Sequence, residues 1–476
     1  MKADRAAATR RIWLETIERF RFDPDRPASE AIWSPRLECC SRDELRSIQD
    51  RKLAALAPFL YENSAFYRRR FELLGLAPTD IRTVDDLQRK WPVVTKDEMA
   101  QDVSAAPPYG TYTTVNDEVW RDNGWMLFTT SGSTGTPRIF RYTHNDRRLF
   151  TWASARAMHA FGIRRTDTLL LCSGFGPHVF AWIAQHALTH MNVAWIPGGG
   201  LDALARANLV HRHRPTVLCC TPSYALHLAR VMQERGFDTT AQGVRLIFVA
   251  GEPAIGVPQT RERIQTLWNA PMVEFYGCTE AAVHGGYSCP VSMRAEGAVF
   301  AHLSEDSQIW ETVQAGDYTR CVPGERGLTV VTNLNSEGSP QLRFLMGDYT
   351  TLDTGACECG RTHVRAMGSF VGRADDLINV RGVKFFPVDI ERAVRSIPGV
   401  GDEYEIVLAT DDGGMDVMTV RIEHAEHARP AALVERLETE IRTRVEIRVS
   451  AEVLVPGTLP RTEFKAKRIR DARRKA

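Results

Sequence analysis

Between residues 167 and 277, short apolar, β-prone runs alternate with helical stretches, and this alternation constrains the fold more than any other feature. The runs are DTLLLCSG (167–174), NVAWIP (192–197), PTVLCCTP (215–222), VRLIFVAG (244–251) and PMVEFYG (271–277). Almost every run ends in Gly, Pro, Ser or Thr. Strands that alternate with helices build βαβ units around a mainly parallel, covered sheet. Ligands of such sheets bind beyond the carboxyl ends of the strands. The Gly-rich strand exits are therefore where chemistry is expected.

The rest of the chain has a different texture. Residues 1–115 read as helices with polar connections. The stretch RDELRSIQDRKLAALAPFLYENSAFYRRRFELLG carries apolar residues at helical spacing and ends in a Gly stop. From about 320 to 372 the sequence is β-rich with Gly and Pro punctuation. A boundary is expected near GRADD (372–376). Beyond it, YEIVLAT, the turn DDGG and MDVMTVRIEH read as a hairpin, followed by a helix around 430–444 and a strand around 445–455. The predicted fold is α/β. A large N-terminal domain of layered sheets with helices (1–372) precedes a small C-terminal α+β domain (373–476). A chain of 476 residues is long enough for more than one domain.

Charge and composition exclude several classes. Lys plus Arg number 60 against 59 Asp plus Glu, so no global field favours nucleic acid or an anionic membrane. No run of about 18 apolar residues predicts a membrane-spanning helix. The start, MKADRAAATRRIWLETIERF, lacks the apolar core and cleavage site of a signal peptide and reads as an amphipathic surface helix. A cytoplasmic protein is expected by default. Its partners would be small-molecule substrates rather than nucleic acid or membrane, with a homodimer left open. Ten cysteines in so long a chain make no disulfide scaffold, and Cys219 and Cys220 read as buried neutral thiols. No Gly-x-Gly-x-x-Gly follows a strand, which argues against a plain oxidoreductase.

The stretch FTTSGSTGTPR (128–138) is dense in hydroxyls and glycines and ends in a cation. It is not the Gly-x-x-x-x-Gly-Lys phosphate loop. Even so, the Thr130–Gly135 segment, in which Ser131, Gly132, Ser133, Thr134 and Gly135 are consecutive, can offer backbone N–H groups and hydroxyls to phosphate oxygens, and Arg138 adds charge. A polar strand-to-strand turn is the blander alternative. VEFYGCTEAA (273–282) places Tyr276, Gly277, Thr279 and Glu280 at a strand exit. MGDYT (346–350) places Asp348 at another, and GRADDLINVRG (372–382) combines Arg373 with Asp375.

Together with the terminal LPRTEFKAK, these phrases resemble the adenylate-forming superfamily of acyl-CoA synthetases, peptide-synthetase adenylation domains and luciferases. Within it they look most like the phenylacetate-CoA ligase family. RPTVLCCTPSYALHLA, the GEP of VAGEP, SFVGRADDLINVRGVKFFPVDIE and LPRTEFKAKRIRD are that family's phrases in the same order, from about residue 90 onward. The resemblance implies ATP-dependent attack of a carboxylate on the α-phosphate, giving an acyl-AMP and pyrophosphate. A thiol, usually of coenzyme A, then displaces AMP. It implies that the opening loop holds the β- and γ-phosphates, with Gly251, Glu252 and Pro253 also at the nucleotide. Tyr276 would stack on adenine, Asp348 would accept the ribose hydroxyls, and Thr279 would donate to the α-phosphate. Glu280 would hold Mg2+. Lys465 would be the mobile catalytic cation of a second domain that swings about Asp375, with Arg373 beside the hinge as a further ATP-binding residue. Residue by residue, bland readings compete: a helix cap with a first-turn carboxylate for Thr279 and Glu280, a core tyrosine for Tyr276, a turn aspartate for Asp348, one basic-tail lysine among several for Lys465. In one respect the chain departs from the family: Phe464 stands where Gly usually precedes the lysine.

The resemblance also implies structural zinc. Some relatives carry a Cys, a His and a Cys-x-Cys at places corresponding to Cys289, His302, Cys357 and Cys359, and three thiolates with one imidazole close a tetrahedral site. The acyl pocket is expected near SGFGPHVFAW (173–182) and VAGEPA (249–254), with Tyr142, Phe175, Gly176, His178, Trp182 and Ala250 as lining residues suited to a flat aromatic acid. A buried helix start explains the aromatic stretch equally well. Coenzyme A is the expected acceptor. The alternatives are an amine, a carrier-protein thiol, or activation of nitrite for diazotization of an aryl amine. A nucleotide-binding regulatory protein without catalysis is a further class, which the presence of Glu280 and Lys465 argues against.

Overall fold

The computed structural model describes residues 2–22, 26–130, 138–280, 282–294, 299–411, 414–425, 429–461 and 468–473. The chain parts into two compact units. One gathers Met1–Thr168, Gly174–Trp195 and Phe275–Gly368, and the other Leu169–Ser173, Ile196–Glu274 and Ser369–Ala476. Ser131–Pro137, and the segment 462–467 with Phe464 and Lys465, lie outside the described residues.

The first unit opens with the amphipathic helix Lys2–Arg19, whose Trp13 and Ile17 are buried. The predicted helical stretch that follows is two helices, Arg42–Asn63 and Ala65–Leu73. Ser64 divides them, because its side chain accepts from the Tyr67 amide and starts a new helix rather than continuing the old one. An antiparallel succession follows in the order Gln308–Val313, Arg326–Asn333, Phe344–Asp353, Arg365–Met367, Phe300–Leu303, Ala282–Tyr287 and the Phe275–Cys278 end of Met272–Cys278. Strands Gly124–Thr129 and Ile139–Thr143 form a separate antiparallel pair. The hydroxyl-rich stretch therefore runs between two paired strands.

In the second unit the Leu169–Leu171 part of strand Thr168–Leu171, Val217–Cys220 and Leu246–Ala250 run parallel, with Leu169 opposite Val217 and Cys219 opposite Phe248. Helices Ala203–His213, Pro222–Glu234 and Pro258–Trp268 link or follow these strands. Residues 217–220 and 246–250 are all buried, as covered parallel strands require. The predicted C-terminal hairpin is Val400–Thr410 against Asp416–His424. Ser450–Leu454 and Ile469–Asp471 join it in parallel. Helices Pro387–Arg395 and Pro430–Val445 bury Ile390, Val394, Leu437 and Ile441 against Ile406, Val420 and Ile422. This small core is the α+β unit that the sequence indicates.

Candidate nucleotide site and metal cluster

In the first unit, strands Met272–Cys278 and Ala282–Tyr287 pair antiparallel, with a register shift between Tyr276 and Cys278. Thr279 and Glu280 occupy the turn between them. A tight turn at a strand end carries few side chains of its own core, so its polar groups stay available to a ligand. The turn is braced from below. The ring of Tyr142 is fully buried between Phe128 and Phe150, and its hydroxyl donates to the Thr279 carbonyl. Burial holds that phenol well above the ordinary tyrosine range. Tyr142 thus supports the turn through its hydroxyl.

Three further groups meet at the turn. Arg138 Nη2 lies 3.0 Å from Glu280 Oε1, and both side chains are only 13% exposed. A pair so shielded is screened less than a surface pair. The Arg138 amide donates to Thr130 Oγ1 at 3.2 Å and the Thr130 amide to the Arg138 carbonyl at 3.1 Å, which closes the base of the hydroxyl-rich loop. Tyr276, half-buried, donates its hydroxyl to Asp348 Oδ2 at 2.6 Å. Asp348 is buried, and its carbonyl accepts from Thr329 Oγ1 at 2.7 Å. The structure therefore joins residues named from separate stretches of sequence into two pairs along one strand end, Arg138 with Glu280 and Tyr276 with Asp348, with Thr279 in the turn beside them.

Lys96 was invisible to sequence reasoning. It begins helix Lys96–Ala105, and its carbonyl accepts from Arg138 Nη1 at 3.4 Å. Its Nζ lies 3.4 Å from where a Cβ would stand on Gly347, the neighbour of Asp348. A second cation thus stands beside these groups. TKDEM carries no pattern that would have singled it out.

Near the expected acyl pocket, Phe175 meets Trp182 edge to face at 5.0 Å and Trp195 at 6.1 Å. Trp182 Nε1 donates to the Gly176 carbonyl at 3.0 Å. All three rings are half-buried, and His178 is exposed just before helix Val179–His190. Trp195 is the member that sequence reasoning missed.

In the second unit, Gly251, Glu252 and Pro253 follow the buried strand end at Ala250. Glu252 accepts from the Ser223 amide at 3.1 Å and from Ser223 Oγ at 2.8 Å, at the amino end of helix Pro222–Glu234. A carboxylate is favoured there by the unpaired amides of the first turn. Arg373 pairs with Asp375 at 3.3 Å and Asp376 at 3.9 Å around the short turn Ala374–Asp376.

Cys289, His302, Cys357 and Cys359 form one cluster, with all ligand atoms within 4.8 Å of one another. Cys289 Sγ and Cys357 Sγ are 4.0 Å apart, and Cys359 Sγ is 3.3 Å from His302 Nε2. A tetrahedron with Zn–S of ~2.3 Å has S···S edges of ~3.8 Å, close to this spacing. His302 Nδ1 lies 3.1 Å from the His363 carbonyl. A carbonyl can only accept, so Nδ1 carries the proton and the Nε2 lone pair faces the thiols. That is the tautomer a metal-ligating histidine needs. The donor set and its outer hydrogen bond fit zinc.

Comparison with known proteins identifies the family. The AMP-binding enzyme family matches residues 74–308, and the AMP-binding enzyme C-terminal domain matches 382–473. The chain belongs to the AMP-binding, adenylate-forming enzymes. It is an adenylate-forming ligase. It is 29% identical to phenylacetate-coenzyme A ligase of Thermus thermophilus over 93% of this chain and 100% of that one. It is 28% identical to the Escherichia coli enzyme of that name, over 92% and 97%. The structure of 2-hydroxyisobutyryl-CoA ligase in the postadenylation state, with 2-HIB-AMP, superposes with a TM-score of 0.86 at 27% identity, covering 94% and 93%. Among the described residues of this ligase, no helix is long and apolar enough to cross a membrane.

Proposed function

We propose that this ligase activates an aromatic carboxylate with ATP and passes the acyl group to coenzyme A. In the first step a carboxylate oxygen attacks the α-phosphorus, and the bond to the β-phosphate oxygen breaks to release pyrophosphate. In the second step the thiol sulfur attacks the acyl carbon, its proton leaves to solvent or base, and AMP departs with the C–O bond electrons. Carboxylate and triphosphate repel each other, so the site must supply positive charge and alignment.

The carrying observation is the junction of the Arg138–Glu280 and Tyr276–Asp348 pairs at one strand end. Asp348 has acceptor capacity beyond the Tyr276 bond, and a carboxylate can take two ribose hydroxyls. Tyr276 offers its ring to adenine. Thr279 donates to the α-phosphate, and Arg138 and Lys96 counter the phosphate charge. The Thr130–Gly135 loop would hold the β- and γ-phosphates, and Gly251–Pro253 would also bind the nucleotide. Mg2+ would supply charge neutralisation between phosphate oxygens, with Glu280 as its protein ligand. Lys465 acts during adenylation, from a C-terminal domain that begins at about 373 and turns about Asp375. Zinc held by Cys289, His302, Cys357 and Cys359 is structural, since four protein ligands leave no open position.

The aromatic cluster Phe175, Trp182 and Trp195 supports an aryl acid. A second reading is favoured by the superposition on 2-hydroxyisobutyryl-CoA ligase: a small branched hydroxy acid in the same role. Mass spectrometry of products formed from ATP, Mg2+ and CoA separates them. Aryl thioesters in preference to aliphatic hydroxyacyl thioesters support the first reading. The reverse preference supports the second.

A further inference from the structure

Strand Met272–Cys278 carries a buried carboxylate that the roles above do not use. Glu274 is 4% exposed within an otherwise apolar run. Burying a carboxylate is costly unless it is well hydrogen-bonded, and here its partners are specific. Oε2 accepts from the amides of Ala254 and Ile255, both at 3.0 Å. Oε1 accepts from the hydroxyl of Ser369. These partners lie more than a hundred residues apart in sequence, and each sits beside a feature already described.

Ala254 and Ile255 directly continue the Gly251–Pro253 loop, whose Glu252 is fixed on Ser223. The same segment meets the small C-terminal unit. The Gly256 carbonyl accepts from Arg392 at 2.9 Å, and Val257 packs with Val371 and Val388. Ser369 opens the approach to the hinge. It has φ of +59°, a conformation disfavoured for any residue with a Cβ. Gly372 follows at φ of +95°, and a Cβ there would stand 2.9 Å from the Phe386 ring. The chain leading into the hinge is thus held in left-handed conformations, and the Glu274 carboxylate is one of the groups holding it.

We propose that Glu274 is a positioning residue that ties the Ala254–Ile255 end of the nucleotide loop to Ser369 at the start of the hinge, so that nucleotide binding and hinge mobility are linked. This rests on the adenylate-forming reading of the preceding subsection. Movement at either end leaves buried donors without their acceptor, so the two ends hold or release together. Linkage of this kind is reciprocal: if ATP quiets the hinge, loosening the hinge must weaken ATP binding by the same factor.

The test uses the full-length protein with MgATP and no acid. Titration calorimetry gives the Kd, and mass spectrometry follows tryptic cleavage after Arg373 with and without saturating MgATP. In the wild type, MgATP should slow that cleavage by about fivefold. Ser369→Ala removes only the hinge end. It should abolish the protection and raise Kd by the same factor of about five. Glu274→Ala should also abolish protection and weaken binding by about tenfold or more. Glu274→Gln keeps an acceptor for both amides and a polar partner for Ser369, and should retain most of both effects. Full protection and unchanged Kd in Ser369→Ala would overturn the linkage, as would absence of protection in the wild type. Should Glu274→Ala fail to fold, Ser369→Ala and Glu274→Gln decide alone. A wild type that binds no MgATP refutes the adenylate-forming reading itself. Binding with equal protection in wild type and Ser369→Ala removes only the linkage.

Discussion

Asp348 is the residue on which nucleotide affinity should depend most directly. Its backbone is pinned by Thr329 and one oxygen by Tyr276, so its side chain is presented with little freedom left to lose on binding. Asp348→Asn keeps the shape and halves the acceptor capacity. We expect the KM for ATP to rise roughly tenfold while the KM for the acid stays within about twofold; steady-state kinetics with each substrate varied checks this, and a parallel rise in both would contradict the ribose role. Lys465→Ala should lower adenylate formation by about 10²–10³-fold and largely spare consumption of a supplied acyl-adenylate; equal loss of both steps would count against it. The roles given to these residues come from the resemblance of Tyr-Gly-x-Thr-Glu, Gly-Asp and the terminal lysine phrase to the family's phrases; residue type alone leaves a helix cap, a core tyrosine, a turn aspartate and a basic-tail lysine open. Lys96 and Glu274 were not legible. One is a lone lysine opening a helix and the other an acid within an apolar strand, and only their spatial partners give them meaning.

At the scale of elements, the five predicted strands of 167–277 are present at Thr168–Leu171, Ala194–Pro197, Val217–Cys220, Leu246–Ala250 and Met272–Cys278. The period of apolar residues and the Gly, Pro, Ser or Thr stops were enough to find them. The break at Ser64 was not foreseen, because a serine cap inside a continuous helical pattern looks like any exposed serine until its hydroxyl is seen to take the Tyr67 amide. The Cys/His cluster joins Cys289 just past strand Ala282–Tyr287, His302 within strand Phe300–Leu303, and Cys357 and Cys359 between strands Phe344–Asp353 and Arg365–Met367, which sequence spacing alone does not bring together. We expect about one zinc per chain by elemental analysis. Cys357→Ser, or stripping with a strong chelator, should lower the melting temperature by roughly 5–10 °C without abolishing MgATP binding. Metal-free protein of unchanged stability would contradict a structural metal.

At the scale of the whole molecule, histidines shielded from water oppose stability in acid. His284 is pushed down to about 3 by burial, and His159, His186 and His227 are also lowered, burial being the largest cause in each. A histidine held neutral in the fold but free to protonate when unfolded contributes stability that is full above its unfolded value of about 6.5. That stability is lost as pH falls towards the folded value. Buried Asp146, raised to about 7, works the other way over the same range, so the histidine contribution is read as a difference: between pH 7 and 5 His284→Asn should lose less melting temperature than the wild type, and equal changes would contradict the assignment. The central claim is tested most directly by exchange of labelled pyrophosphate into ATP over a panel of carboxylic acids. The account predicts acid-dependent exchange with aryl or arylacetic acids as the best substrates. Silence with every acid, and turnover only when nitrite and an aryl amine are supplied, would contradict it.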